Sequence, residues 1–211
     1  MKPMLIVLSA PSGAGKSTLC DRLLQDYPET VYSVSCTTRA PRGEEEDGID
    51  YHFLSEAAFE GLIARRAFLE HAHVHGNHYG TLEAPIRDAL AQGLSVVMDI
   101  DVNGAEQIRD KIESFPEDDP LRTGFVDIFI LPPSVDELRR RMEARGEDAP
   151  ETIDRRMANA DGEIAHAGEF QYRVVNHDLD IAYRELCAIL ELQGCVVIEP
   201  PATRGQPKEG K

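Results

Sequence analysis

Apolar positions fall in two rhythms along this chain. Met4 to Ser9 (MLIVLS) is an unbroken apolar run, the mark of a strand covered on both faces. Leu94 to Ile100 (LSVVMDI), which ends in acidic residues, and Val126 to Leu131 (VDIFIL) repeat it, and Tyr172 to Val175 is a weaker fourth run. Helical periodicity separates them. Ser17 to Asp26 sets Leu19, Leu23 and Leu24 on one side, and Leu179 to Gln193 aligns Leu179, Ala182, Leu186, Ile189 and Leu190. Ser134 to Arg145 follows Pro132-Pro133 and opens with Ser134 and Glu137 at capping-box spacing. Buried strands alternating with helices predict an α/β fold, a parallel sheet flanked by helices on both faces.

Residues 35–93 break that rhythm. Their candidate strands are short and alternating (Tyr51 to Leu54, Phe68 to Val74), with helices near Ser55 to Arg66 and Ala84 to Gln92. The pattern predicts a small mixed α/β insertion over 35–93, set into a core made of 1–34 and 94–200. The acidic, proline-bearing segment 113–124 (ESFPEDDPLRTG) reads as a mobile, solvated surface loop, and the tail 201–211 as disordered. Within the insertion, EHAHVHGNHYGT (70–81) holds four histidines in eight positions. On a strand, His71, His73 and His75 would share one face. Their spacing of nearly 7 Å at Cα, about twice the rise per residue, is awkward for closing on one metal ion.

At 211 residues, 42% hydrophobic and 28% charged, the chain is long enough for a real core and fits a single globular domain with insertions. A net charge of -16 argues against a nucleic-acid polymer or an anionic membrane as partner. It does not exclude a small phosphate ligand, because charges are screened over about 8 Å at physiological salt. The start reads as neither a signal peptide nor a membrane span. Cys20, Cys36, Cys187 and Cys195 form no C-x-x-C pair, so they are expected to be reduced thiols and the expected location is the cytoplasm.

The strongest motif is APSGAGKST, residues 10–18, with a buried strand running in and a helix running out. Gly13 and Gly15 allow the backbone running from Ala10 and Pro11 through Ser12 and Ala14 to turn so that successive N–H groups, which Pro11 lacks, point at phosphate oxygens. The helix that begins near Lys16, Ser17 and Thr18 adds its positive dipole end. Lys16 would reach the β- and γ-phosphates, and the Ser17 hydroxyl would ligate Mg²⁺. The usual pattern has glycine at its first place, where this chain has Ala10. Asp99 or Asp101, at the end of the second buried strand, would orient the metal's water shell. Further on, Arg39 and Arg42 flank Pro41, a rigid turn on which two guanidiniums could grip a second phosphate. Read alone, they could equally be surface arginines answering the acidic run that follows.

With these residues in view, the chain resembles the guanylate kinase family. SAPSGAGKST, SVSCTTRAPR, the Asp50-Tyr51 pair, FLEHAHVHGNHYGT, VVMDIDVNGA, IFILPPS, RRRMEARG and VVNHDLD occur in that family's order. The likeness runs over roughly residues 4–193, with a longer loop before Ile128. It implies a P-loop NTPase-type core, a GMP-binding insertion, and a helical lid over 139–156, catalysing ATP + GMP → ADP + GDP with Mg²⁺. By the same resemblance Arg39, Arg42, Tyr51 and Tyr79 hold the GMP phosphate, and Ser35, Glu70 and Thr81 read guanine with Asp101 nearby. Glu45, with Glu44 as a rival, closes on the nucleotide. Arg141, Arg145 and Arg156 are the lid arginines, and Asn176 lies near the ATP adenine. Ala10, Asn103, His177 and the longer loop depart from the family pattern.

The guanine assignment also has a chemical basis. Guanine offers N1–H and N2–H₂ donors, which a carboxylate such as Glu70 can accept, whereas adenine presents a lone pair at N1. Such a site can reject the wrong base by roughly 10⁴-fold, because its polar group is left unpaired. Two other readings are a kinase for AMP or dTMP and a non-catalytic guanylate-kinase-like interaction module. The first should lack the Glu70–Tyr79–Thr81 set, and the second typically has a degraded phosphate loop.

Overall fold

The computed structural model describes residues 2–146 and 149–194. Expectations placed on the Arg145 side chain, on Cys195 and on the 201–211 tail lie outside the described residues. In chain order the elements are β1 (Leu5–Ser9), α1 (Lys16–Asp26), β2 (Thr30–Tyr32), β3 (Cys36–Thr37), β4 (His52–Phe53), α2 (Glu56–Ala64), β5 (Phe68–Val74) and β6 (Asn77–Leu82). There follow α3 (Glu83–Ala91), β7 (Ser95–Asp99), α4 (Val102–Glu113), α5 (Pro120–Thr123), β8 (Phe125–Leu131), α6 (Val135–Arg145), α7 (Pro150–Ala165), β9 (Tyr172–Val175) and α8 (Leu179–Leu192). None of the described helices is long and apolar enough to cross a membrane.

Five strands form a parallel sheet in the order β2-β7-β1-β8-β9. β1 is fully buried because its alternating side chains feed two cores. Met4, Ile6 and Leu8 meet Leu19 and Leu23 of α1, Leu138 and Met142 of α6, and Leu186 and Leu190 of α8. Leu5 and Val7 face Ile86 and Leu90 of α3 and Ile108 and Ile112 of α4 on the other side. The α8 stripe differs from expectation at its first turn. Leu179 is 37% exposed, while Tyr183 takes a buried place. β2 was not legible as a strand; three residues at a sheet edge carry too short a pattern.

Between β2 and β7 the chain forms a second sheet, ordered β4-β3-β6-β5, on which Phe59 of α2 packs with Phe68 and Cys36. α4 joins the two parts. Its Lys111 Nζ donates to the Phe68 carbonyl at 2.6 Å, and Gln107 Oε1 accepts from the His71 N–H at 3.1 Å.

Two expectations are corrected here. β5 ends at Val74, and His75 turns with φ of 50°, so it cannot continue a ladder with His71 and His73. Among the described residues no group of three or more His, Cys, Asp or Glu side chains is placed to hold a metal ion. The segment 113–124 is only in part the solvated loop expected, with Pro116 to Asp118 exposed. It contains α5, capped by Asp119 Oδ1, which also binds Arg87 at 3.1 Å, and its Leu121 is 0% exposed. A hydrophobic anchor and a half-buried carboxylate-arginine tie hold its second half against its acidic, proline-rich composition. Leu121→Ala is expected to cost about 2–5 kcal/mol in urea unfolding, the usual range for a leucine deleted from a core. A change below about 0.5 kcal/mol, typical of surface sites, would return the segment to the solvent.

Candidate active site

Parallel pairing of β1 with β7 sets Leu8 beside Asp99, so both strands deliver their carboxyl ends to one edge of the sheet. There the chain leaves β1 and turns through Ala10 to Gly15 into α1. Gly13 and Gly15 have φ of 88° and 93°, a region that costs other residues strain. Ala10 does not lie in that region, and its methyl joins the core cluster under the loop, which explains why glycine is dispensable at this place. α1 begins without a side-chain cap, whereas α4, α6 and α8 are capped by Asp101, Ser134 and Asp178. An uncapped helix start leaves its first N–H groups for an anion such as phosphate.

Lys16 Nζ forms an ion pair with Asp99 and donates to the Ile100 carbonyl at 3.2 Å. Ser17 Oγ lies 3.5 Å from Asp99 Oδ2. A hydroxyl and a carboxylate meeting at the loop are hard oxygen donors, the set that fits Mg²⁺. Asp101 is engaged differently, its Oδ1 accepting from the Gly104 N–H at 2.8 Å as the α4 cap.

The second sheet presents a different cluster of side chains. Arg39 follows β3 and is only 9% exposed. Its Nη1 and Nη2 donate to Glu45 Oε2 and Oε1, both at 2.9 Å, and Glu45 Oε2 also accepts from the Arg42 N–H at 2.7 Å. Those hydrogen bonds hold the Glu45 carboxyl below the usual carboxylate range. The Tyr51 ring lies 5.3 Å from the Arg39 guanidinium carbon and 6.1 Å from the Tyr79 ring. Antiparallel register then pairs Glu70 of β5 with Thr81 of β6. The Thr81 hydroxyl donates to Glu70 Oε1 at 2.7 Å and lies 3.2 Å from Ser35 Oγ, giving a Ser35–Thr81–Glu70 chain. Glu70 is 8% exposed, and burial pushes its carboxyl above the ordinary value.

Helices α6 and α7 flank the loop. Arg141 Nε donates to Glu137 Oε1 at 2.9 Å, and its Nη2 donates to the Asn176 carbonyl at 3.0 Å. Arg156 Nη1 donates to Ser12 Oγ at 3.2 Å. Asn176, just beyond β9, is buried, and its Nδ2 donates to the Ala14 carbonyl at 2.8 Å.

The family model for guanylate kinase matches residues 2–193. The chain belongs to the guanylate kinase family. A guanylate kinase of Ruegeria pomeroyi is 47% identical over 199 residues, covering 94% of this chain and 90% of that protein. One from Alkalilimnicola ehrlichii is 47% identical over 189 residues, covering 90% and 88%. The crystal structure of guanylate kinase from Anaplasma phagocytophilum superimposes with a TM-score of 0.66 at 34% identity, covering 90% of this chain and 86% of that one.

In this kinase the residues expected at the donor site and those expected at the acceptor site therefore gather on two sheets bridged by α4. Of the two acidic candidates at the end of β7, Asp99 is the one beside Ser17 and Lys16. Of the neighbouring glutamates, Glu45 is the one in the grip of Arg39. One residue escaped the sequence reading. Glu163 lies seven positions after Arg156 on α7, hence two turns along the same face. Burial raises its carboxyl above the ordinary carboxylate value, against the opposing pull of Lys16. The seven-residue spacing from Arg156 was the available signal.

Proposed function

We propose that this chain transfers the γ-phosphoryl group of ATP to GMP, and to dGMP, with Mg²⁺ as the metal. One observation carries the reading. A buried carboxylate, Glu70, held by Thr81 in reach of Ser35, lies on a different sheet from a glycine-rich phosphate loop backed by Lys16 and Asp99. The first arrangement accepts the two donors of a guanine edge, and the second cradles a polyphosphate.

In this reading Ala10 to Thr18 hold the donor phosphates, and Lys16 exchanges Asp99 for phosphate oxygens. Mg²⁺, held by Ser17 and through its water by Asp99, would neutralise charge on the β- and γ-phosphates. Arg39, Arg42, Tyr51 and Tyr79 receive the GMP phosphate, with Glu45 keeping Arg39 in place. Glu70, Thr81 and Ser35 receive the base, and Asp101 approaches it from the α4 cap. Arg141 and Arg156 leave their resting partners and, together with Arg145, neutralise the transferring group, since phosphoryl transfer needs positioning and charge neutralisation rather than a covalent intermediate. Closure of the lid over 139–156 and of the insertion over 35–93 excludes water, which would otherwise compete as acceptor. Work on free nucleotides suits the cytoplasm, and the described cysteines, Cys20, Cys36 and Cys187, are free thiols as that reducing compartment requires.

An intact loop with both acceptor-side arginines in place favours the enzyme over a scaffold module. The test is turnover with ATP and Mg²⁺ against GMP, dGMP, AMP, CMP and dTMP. GMP is expected to lead, with dGMP slower and the other three well behind. Equal turnover of AMP would sink the guanine assignment, and peptide binding without any turnover would favour a scaffold.

A further inference from the structure

The side chain of Asn176 is 4% exposed and points at the loop rather than into open solvent. Its backbone is fixed by the sheet, because Val175 pairs with Leu131 and the Asn176 N–H donates to the Leu131 carbonyl at 2.8 Å. From that anchored position Nδ2 donates to the Ala14 carbonyl at 2.8 Å. The amide rests directly on the loop backbone. A methyl group on Gly15 would come within 2.3 Å of Nδ2.

The peptide bond turns this contact into a device. The Ala14 C=O and the Gly15 N–H belong to one planar trans unit, so they point in opposite directions. Whatever captures the carbonyl also aims the N–H. Gly15 is the N-cap residue of α1, at the positive end of the helix, and its N–H is among those that must turn inward for a phosphate. We propose that Asn176 is a positioning residue for the donor's phosphate chain, holding the Ala14 carbonyl so that the Gly15 N–H points into the loop. The role needs a side-chain donor at this one place. The neighbouring contact from Arg141 is made to the Asn176 backbone carbonyl, so side-chain variants leave its acceptor in place.

The inference rests on the reading that the loop binds the donor, but it predicts something that a contact with adenine does not. A base-reading asparagine would matter only for ligands that carry a base. A loop-positioning asparagine matters equally for a bare polyphosphate. The probe is therefore inorganic tripolyphosphate with Mg²⁺, titrated calorimetrically into the full chain and into Asn176→Ala and Asn176→Asp. The aspartate keeps the shape but has no donor, and it sets a carboxylate against the Ala14 carbonyl.

Tripolyphosphate affinity is expected to fall about tenfold in the alanine variant, the scale of one lost hydrogen bond, and further in the aspartate variant. KM for ATP should rise in step while GMP affinity stays at the wild-type value. Unchanged tripolyphosphate affinity with weakened ATP binding would overturn the proposal in favour of a base contact. Parallel loss of GMP and tripolyphosphate binding in both variants would make Asn176 a folding residue and overturn it too. Failure of the broader reading looks different. Wild-type protein that turns over no GMP, yet binds tripolyphosphate in an Asn176-dependent way, would sink the acceptor assignment and leave this inference standing.

Discussion

Replacing Lys16 with methionine is expected to lower ATP-dependent GMP phosphorylation by on the order of 10³-fold, with GMP affinity unchanged. The ammonium is the cation nearest the loop's acidic partner, paired with Asp99 and bonded to the Ile100 carbonyl. Methionine keeps much of the stem length and removes the charge. Two costs then add. The β- and γ-phosphates lose a preorganised positive group, an effect typically worth 10²-fold to 10³-fold for a single donor. Asp99 loses its partner as well and repels the incoming polyphosphate. The acceptor pocket should not register the change, because Arg39, Tyr79, Glu70 and Thr81 belong to the second sheet or to the turn that follows β3. Single-turnover rates together with GMP calorimetry make the test. A variant that loses GMP binding along with turnover would show that the two sites are not separable.

Replacing Glu70 with glutamine should reduce kcat/KM for GMP by roughly 10²-fold to 10⁴-fold, the span expected when a buried acceptor no longer matches its donors. Glutamine is nearly the same shape. Its amide N–H₂, however, confronts guanine's own donors, and its single oxygen must choose between Thr81 and the base. Preference for GMP over AMP should narrow accordingly; undiminished preference would move the guanine-reading role elsewhere. Glu70 also makes GMP binding sensitive to pH, since only the carboxylate accepts both guanine donors. Its folded-state pKa is raised by burial, so GMP affinity should fall as pH drops through that raised value. Fold stability moves the opposite way. The folded state holds this proton more tightly than the unfolded chain does, so the contribution is full below the ordinary carboxylate pKa. It is lost as pH rises from there through the raised one. Calorimetric GMP affinity and urea midpoints across that interval in wild type, against the flat response expected of Glu70→Gln, separate the two signs.

Much of the architecture was legible because local rules agreed with the global fold. MLIVLS could only be a strand covered on both faces, and APSGAGKST between a strand and a helix could only be a phosphate loop. The Ser134 cap lies where its spacing placed it. The segment 113–124 was misread for a physical reason. Its composition is that of a solvated loop, and Pro116 to Asp118 are exposed, but one buried leucine plus one Asp119–Arg87 tie anchor its second half. The histidine run misled through an assumption of continuity. A strand could extend to His75 in the sequence, but the β5–β6 turn needs His75 and Gly76 at positive φ, which ends the ladder at Val74, one residue after His73.

By itself the sequence determined the fold class, the phosphate loop and, through residues in family order, the reaction. Those are properties of short segments whose hydrophobic period and backbone needs are written locally. Tertiary structure alone decided which partner each site residue takes. It set Asp99 rather than Asp101 beside Ser17, Glu45 rather than Glu44 on Arg39, and Asn176 on Ala14. Apart from Arg39–Glu45, six positions apart within one turn, each of these pairings is a matter of strand register or helix packing between segments distant in the chain. No local pattern encodes a hydrogen bond that spans 162 positions.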